Sequence, residues 1–368
     1  MRIYTSLNGV EDLIAPGYPL PIVFDRDGII VESLLDYTVS QIAANIWTTP
    51  DSARSVVESI VDVLAYSEDQ GVPLEKLSVL VLKGYETFKR QTGIRHPCSK
   101  ASTGQCIDAT KRYWTFCERN QYVTNNSLVS VSEYIAPRSD YDPNAIRLPN
   151  LEEIRRFARS LRGVEARHAS PLTFGVGMRR TEIVGLSANA IRPLHQMMVG
   201  DQGQVLLHLD GVHSVTKGGV ARTVEVPIKL YSSLYAYKIS PRRAARCARG
   251  KNIVSSLFVT KYGAPYQRRW LNDVFRRASQ ESETAIYPHL GRHWYATRFM
   301  EHEPKARFHG SEFRALQRLQ QLLGHAFLES TKRYVHLTSV TSHTGAPLHA
   351  EYQRRLNELV DAIMESNS

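Results

Sequence analysis

Four short segments beyond residue 175 combine arginine, lysine, histidine and tyrosine. They are Gly177-Met178-Arg179-Arg180-Thr181-Glu182-Ile183, Thr216-Lys217-Gly218-Gly219, Pro288-His289-Leu290-Gly291-Arg292-His293, and Leu322-Leu323-Gly324-His325, the last followed by Tyr334 nine residues after its histidine. These residue types suit the breaking of a phosphodiester without a metal ion, which makes three demands. Charge developing on the nonbridging oxygens must meet fixed cations, the leaving 5′ oxygen needs a proton, and a nucleophile must stand in line with the bond that breaks. Arginine answers the first demand, because its planar fork is permanently charged and can hold two oxygens at once. Singly, each segment is ordinary. GMRRTE fits any amphipathic helix with exposed arginines, a lysine in a glycine-rich turn is usually solvated, LGH is common in helical proteins, and a tyrosine is usually core or rim. Their joint occurrence in this order carries the information.

In type, order and spacing the segments resemble the signature of the tyrosine recombinases, also called the phage integrase family, over nearly all of residues 148–337. The resemblance implies a site-specific enzyme that cleaves and rejoins double-stranded DNA. It places Arg179 on the scissile phosphate with Glu182 in support, and makes Lys217 the proton donor to the leaving 5′ oxygen. Arg292 becomes the second phosphate clamp, His289 a hydrogen-bonding or proton-transfer partner with His293 supporting, His325 a phosphate ligand, and Tyr334 the nucleophile. Attack by the phenol would form a 3′ phosphotyrosyl bond and release a 5′ hydroxyl. Such a bond conserves the phosphodiester energy, so a second 5′ hydroxyl can reverse the step, and no ATP, metal ion or other cofactor is expected. Since tyrosine is a weak nucleophile near its ordinary pKa of about 10, the two arginines must bind the transition state more tightly than the ground state.

The chain departs from the family pattern in two places. Gly291 stands where a common family form has leucine, and the segment from Arg298 to Gln321 is longer than usual, which leaves His302 and His309 as expected surface residues. Arg222 falls where the family often has another basic residue and is expected on DNA. Type IB topoisomerases and hairpin-forming telomere resolvases share the same residue set, and a DNA-binding regulator built on a decayed recombinase is a further alternative. The complete set of Arg179, Lys217, His289, Arg292, His325 and Tyr334 argues against decay.

Residues so far apart must be brought together by the elements that carry them. The expected fold class is mainly α with a small antiparallel β-sheet, a helical core-binding domain followed by a mixed α/β catalytic domain. Pro50 and Ser52 give helix start signals, Val56, Ile60, Val63 and Leu64 make an apolar face, and Gly71 ends it. Further helices are predicted over residues 79–88 and 103–118. Residues 128–150 carry three prolines and lose the helical period, as a connection would. A helix over 151–161 and a longer one containing MRRTEIVGL follow. Next come two strand-like runs, QVLLHLD and RTVEVPI, flanking a turn-rich segment that puts Lys217 at or near a hairpin loop. Helices over 270–277, 293–300, 314–323 and 350–363 complete the chain. The last has Tyr352, Leu356, Leu359 and Ile363 on or near one face, and the resemblance implies a helix docked into a neighbouring subunit of a tetramer that joins two DNA sites. Packing on its own domain is the alternative. The domains expected are an extension over 1–35, a helical core-binding domain over 36–127, a connection over 128–150 and a catalytic domain over 151–368.

Composition narrows the class further. A chain of 368 residues with 42% hydrophobic content can bury two cores and is too ordinary for disorder. Its formal charge of +10 is uneven: residues 1–150 hold 14 Lys and Arg against 18 Asp and Glu, whereas 151–368 hold 32 against 18. The C-terminal part therefore presents a polyanion-binding surface. Within it, Arg242, Arg243, Arg246, Arg249 and Lys251 form a basic run that either tracks a DNA backbone or is a solvated face. Only Arg2 and Arg26 are basic in the first 35 residues, which points to a structural extension. Cys98, Cys106, Cys117 and Cys247 form no CxxC pair, which speaks against a disulfide framework and a zinc site and fits a reducing cytosol. No signal-like segment and no run of roughly 18 to 20 apolar residues is present, so a soluble, cytoplasmic protein is expected.

Overall fold

The computed structural model describes residues 1–6, 19–47, 49–91, 99–124, 130–137, 146–200, 203–211, 221–250, 255–325 and 327–332, together with Glu358 and Asp361. Lys217, Lys251, Tyr334, Cys98 and nearly all of the 350–363 helix lie outside the described residues. The chain divides into two compact units, Met1–Tyr141 and Asp142–Ser368.

In the first unit, strands β1 (Arg2–Ser6) and β2 (Leu20–Phe24) pair antiparallel, with Arg2 opposite Phe24. Four helices follow: α1 (Glu32–Ala43), α2 (Pro50–Asp69), α3 (Val79–Gln91) and α4 (Lys100–Arg119). Helix α2 begins where the Thr49 hydroxyl accepts the Ser52 N–H at 3.3 Å, with Pro50 in the first turn where its missing N–H costs nothing. Ser99 caps α4 in the same way, accepting from Ser102 N–H at 3.1 Å. The core joins Val57, Ile60, Val63 and Leu64 of α2 to Leu82 and Tyr85 of α3 and Ile107, Tyr113 and Trp114 of α4. Leu20 and Val23 of β2, and Val131 and Ala136 beyond α4, are buried in the same cluster. Residues read from the sequence as an extension and a connection thus supply core side chains, which short irregular runs without a helical period do not reveal. Cys106, Cys117 and Cys247 are free thiols.

The second unit opens with α5 (Leu151–Arg159), held by a reciprocal cap in which Asn150 Oδ1 accepts Glu153 N–H and Glu153 Oε2 accepts Asn150 N–H, each at 2.9 Å. Short helices α6 (Val164–Ala169), α7 (Pro171–Gly175) and α8 (Arg180–Val184) come next. The long helix expected around MRRTEIVGL is therefore broken. Gly177 takes a left-handed φ of 68°, and a Cβ there would lie 2.4 Å from the Tyr295 ring, so the chain turns tightly just before Arg179. Strands β3 (Gln204–Leu209) and β4 (Arg222–Pro227) pair antiparallel with Leu209 opposite Arg222, as the hairpin reading expects, and residues 212–220, Lys217 among them, lie outside the described residues.

The remaining helices are α9 (Ile228–Ile239), α10 (Pro241–Cys247), α11 (Trp270–Glu281), α12 (Pro288–Arg307), α13 (Glu312–Leu323) and α14 (Leu328–Lys332). Phe157, Phe174 and Phe275 meet at the centre of the larger core, which also takes in Val205, Leu207, Val224 and Val226 of the sheet. A smaller core joins Tyr295 and Phe299 of α12 to Leu319, Leu322 and Leu323 of α13. Helix α12 packs closely on α7 at Gly291, where a Cβ would lie 2.5 Å from Thr173 Oγ1. That contact accounts for glycine in place of the family's leucine. The long 298–321 segment forms the later turns of α12 and most of α13, and His309 in the turn between them is exposed. Among the described residues no helix is long and apolar enough to cross a membrane, and no group of three or more His, Cys, Asp or Glu side chains is placed to hold a metal ion.

Candidate functional site

Helix α13 starts under a Ser311 cap and stops at Gly324, whose φ of 62° and ψ of 50° reverse the chain in the left-handed region. Such an end leaves carbonyls that no later turn of the helix can satisfy. Here three successive ones are met by three arginines from three other elements. Arg222 at the start of β4 donates from Nη1 to the Leu322 carbonyl. Arg292, from the first turns of α12, donates from Nη2 to Leu323 O at 2.6 Å, and Arg179, which precedes α8, donates from Nη2 to Gly324 O at 2.7 Å. Arg292 Nη1 also donates to Gly177 O at 2.7 Å, which uses the tight turn noted above. The partial negative charge at a helix C-terminus favours this cationic cluster.

Glu182 is the anion that holds the cluster together. It is fully buried in α8, and its Oε2 accepts from the Arg179 backbone N–H at 2.7 Å and from Arg222 Nη2 at 2.6 Å, while Oε1 accepts from Arg179 Nη1 at 3.0 Å. Of the two arginines on Glu182, Arg179 keeps 22% of its side chain exposed and Arg222 only 4%, so Arg179 is the one open to an incoming ligand. Arg222, expected on DNA, is instead turned inward, and it joins the first arginine motif to the end of α13. A signal for this was present in the sequence: in RTVEVP, Arg222 shares the period-2 face of Val224 and Val226, both fully buried. Replacing Glu182 by glutamine leaves two guanidiniums facing a neutral group, and we expect Glu182→Gln to destabilise the second unit by about 1 to 3 kcal/mol. A urea unfolding midpoint equal to wild type would show that the carboxylate does not hold the cluster.

His325 follows Gly324 directly. Its Nε2 lies 3.1 Å from Arg292 Nη2 and its Nδ1 2.9 Å from the Thr331 hydroxyl of α14. A guanidinium can only donate, so Nε2 accepts and the ring proton sits on Nδ1. Burial, with Arg292, Arg179, Arg222 and His289 nearby, pushes its pKa down to about 3, so the ring is neutral at pH 7. His289 is lowered by burial and then by Arg292 and Arg179. One turn further along α12, His293 is pushed down to about 4 by burial and by His289 and Arg292, and the two rings stand edge to face 4.6 Å apart. The structure therefore brings Arg179, Glu182, His289, Arg292, His293 and His325 to one place where positive potential is high and protonated histidine is disfavoured. Such a site suits a bound oxyanion.

The basic run of α10 has partners of its own. Arg243 donates to Leu257 O and Ser256 O, both at 2.8 Å, and Arg246 donates to Val259 O at 3.0 Å while pairing with buried Glu165 at 2.6 Å. Arg249 donates to Lys261 O at 3.3 Å, and Arg242 lies 3.5 Å from Glu165 with half its side chain exposed. These contacts hold the chain after residue 255 against α10. Sequence reasoning missed Thr331 altogether, since a threonine in a short polar helix has no distinguishing pattern.

Residues 146–340 match the sequence model of the phage integrase family. The chain is similar to the tyrosine recombinase XerC of Listeria monocytogenes serotype 4a (strain HCC23), 21% identical over 327 residues that cover 85% of this chain and 94% of that protein. It is also similar to XerC of Bacillus pumilus (strain SAFR-032), 24% identical over 290 residues, 76% and 84% of the two chains. Among solved structures it resembles a lambda integrase fragment, residues 75–356, in a dimer bound to a COC′ core site, with a TM-score of 0.57, 15% identity, and 87% and 99% of the two chains covered. The XerH site-specific recombinase bound to a palindromic difH substrate, in a post-cleavage complex, gives a TM-score of 0.57 at 15% identity over 84% and 82% of the two chains. At these identities the structural likeness is one of fold.

Proposed function

The chain belongs to the phage integrase family, and from that premise we propose that it is a site-specific DNA recombinase whose Tyr334 attacks a scissile phosphate held by Arg179, Arg292 and His325. The observation that carries this reading is the convergence of Arg179, Arg292 and His325 at the end of α13, in the chain segment that leads through α14 to Tyr334. Preorganised donors aimed at developing negative charge are worth most where water is excluded, and Arg292 is 2% exposed.

In this mechanism the phenol gives up its proton to solvent as its oxygen attacks phosphorus in line with the leaving 5′ oxygen, and solvent returns a proton to Lys217 after the step. Arg179 and Arg292 meet the charge on the nonbridging oxygens, and His325 donates to one of them. Lys217 gives its proton to the leaving oxygen, and His289 supports the arginines. The result is a 3′ phosphotyrosyl bond and a free 5′ hydroxyl. A 5′ hydroxyl from a second duplex attacks the phosphotyrosine, restores the diester and frees the tyrosine. The first unit serves as the core-binding domain, and four copies on two synapsed sites form the active assembly, in a cytosolic setting. The curated relatives are named as recombinases, which supports exchange between duplexes over relaxation of one.

The test uses a duplex selected from random-sequence DNA for tight binding and nicked close to the cleavage position, so that the short 5′-hydroxyl fragment diffuses away. The wild-type protein should form a DNA adduct that survives denaturation, and should pass the attached strand to a second duplex with a free 5′ hydroxyl. Affinity should fall steeply as salt rises, since phosphate neutralisation releases counterions. No adduct on any bound duplex would overturn the reading, and relaxation without transfer would favour a topoisomerase.

A further inference from the structure

Thr331 belongs to none of the four signature segments, yet it is fully buried and its Oγ1 is 2.9 Å from Nδ1 of His325. With Arg292 donating to Nε2 at 3.1 Å, the ring carries its proton on Nδ1 and the threonine hydroxyl accepts it. This tautomer cannot hold a phosphate. An anionic oxygen needs an N–H, and Nε2 offers a lone pair. The other neutral tautomer has its proton on Nε2 and suits the phosphate, but it makes Nδ1 a buried acceptor that must find a donor. A carboxylate or carbonyl in the place of Thr331 would hold the first form, and an ammonium would hold the second. A hydroxyl serves both, because it accepts from Nδ1–H or donates to bare Nδ1 after only a turn of its own O–H bond.

We infer that Thr331 is a positioning residue whose hydroxyl allows His325 to change tautomer when the scissile phosphate arrives. In the DNA-free site Arg292 donates to Nε2 and Thr331 accepts from Nδ1. When phosphate oxygens take the Arg292 donor, the proton on Nδ1 passes to water, another reaches Nε2 from water, and Thr331 donates to Nδ1. The ring is neutral before and after the exchange, and water takes up and returns one proton each. The cations around it, Arg179, Arg222 and Arg292, disfavour an imidazolium and so favour exchange between two neutral forms. This inference rests on the reading that His325 binds the scissile phosphate.

The test compares Thr331→Val, which keeps the shape and removes the hydroxyl, with Thr331→Ser, which keeps the hydroxyl, in the wild-type and His325→Ala backgrounds. Single-turnover adduct formation on the nicked duplex should slow about 10- to 100-fold in Thr331→Val with duplex affinity unchanged, and Thr331→Ser should stay within about threefold of wild type. In the His325→Ala background Thr331→Val should cost nothing further, a coupling that a merely structural role would not show. Equal slowing in both backgrounds, or none in either, overturns the inference. The wild-type protein gives a second reading that needs no variant: 15N shifts of the His325 ring should report Nδ1–H without DNA and Nε2–H on the bound duplex. The same tautomer in both states also overturns it. Failure of the wild type to form any adduct falls on the recombinase reading, and the ring shifts on the bound duplex still decide this one.

Discussion

Tyr334→Phe should abolish the denaturation-resistant protein–DNA adduct while leaving duplex binding unchanged. The substitution removes one oxygen and nothing else, and in the proposed mechanism that oxygen forms the covalent bond. The arginines and His325 offer no replacement. Arginine has no lone pair to give, and the Nε2 lone pair of His325 is engaged by Arg292. Tyr295 is the one phenol of α12, but it is 3% exposed and burial pushes its pKa far up. Binding draws on many phosphate contacts across the basic half of the chain, so the loss of one hydroxyl should not register there. Adduct formed by the Phe variant at the wild-type rate would place the nucleophile elsewhere. Tyr287, exposed at the start of α12 and two residues before His289, would be the next to replace.

What was legible in the sequence follows from how local the cause is. Helix α13 could be read because Leu316, Leu319 and Leu323 repeat at helical spacing under a serine cap, and the β3–β4 hairpin because its apolar residues alternate. Helix α9 could not, since Ile228 and Ile239 are exposed while Tyr231 and Tyr237 are buried, which blurs the contrast between its faces. Three of the four segments supply described side chains that meet at the end of α13, but no segment encodes the architecture of that meeting. Arg179, Arg222 and Arg292 reach the end of α13 across 145, 100 and 31 residues, and no local pattern encodes a hydrogen bond of that separation. Arg222 shows the cost of reading by residue type alone: a basic side chain in a basic unit reads as a DNA contact until its alternation with Val224 and Val226 is weighed. The broken helix before Arg179 has the same origin, because the turn at Gly177 is needed only once Tyr295 and Arg292 are packed against it.

Arg292→Ala should slow adduct formation roughly a thousandfold, the scale of losing a preorganised donor to a developing oxyanion. Two effects add in this variant and have to be separated. The guanidinium is 2% exposed and donates to Gly177 O and Leu323 O, so its removal leaves buried carbonyls without those donors and costs stability, about 1 to 3 kcal/mol for each. The rate must therefore be measured at a temperature where the variant is shown to be folded. Arg292→Lys separates the two further, since it keeps a positive charge but has no planar fork to span Gly177, Leu323 and a phosphate together. If charge alone matters, the lysine variant should recover most of the rate; if the fork matters, as the three-way geometry requires, it should remain at least tenfold slow. Duplex affinity is the control that decides the role. A cation that acts on the transition state can be lost with affinity nearly intact, because the ground-state phosphate is one of many bound. Parallel loss of affinity and rate would make Arg292 a ground-state anchor, and the stabilisation of the transition state would then fall on Arg179, the more exposed arginine at Glu182.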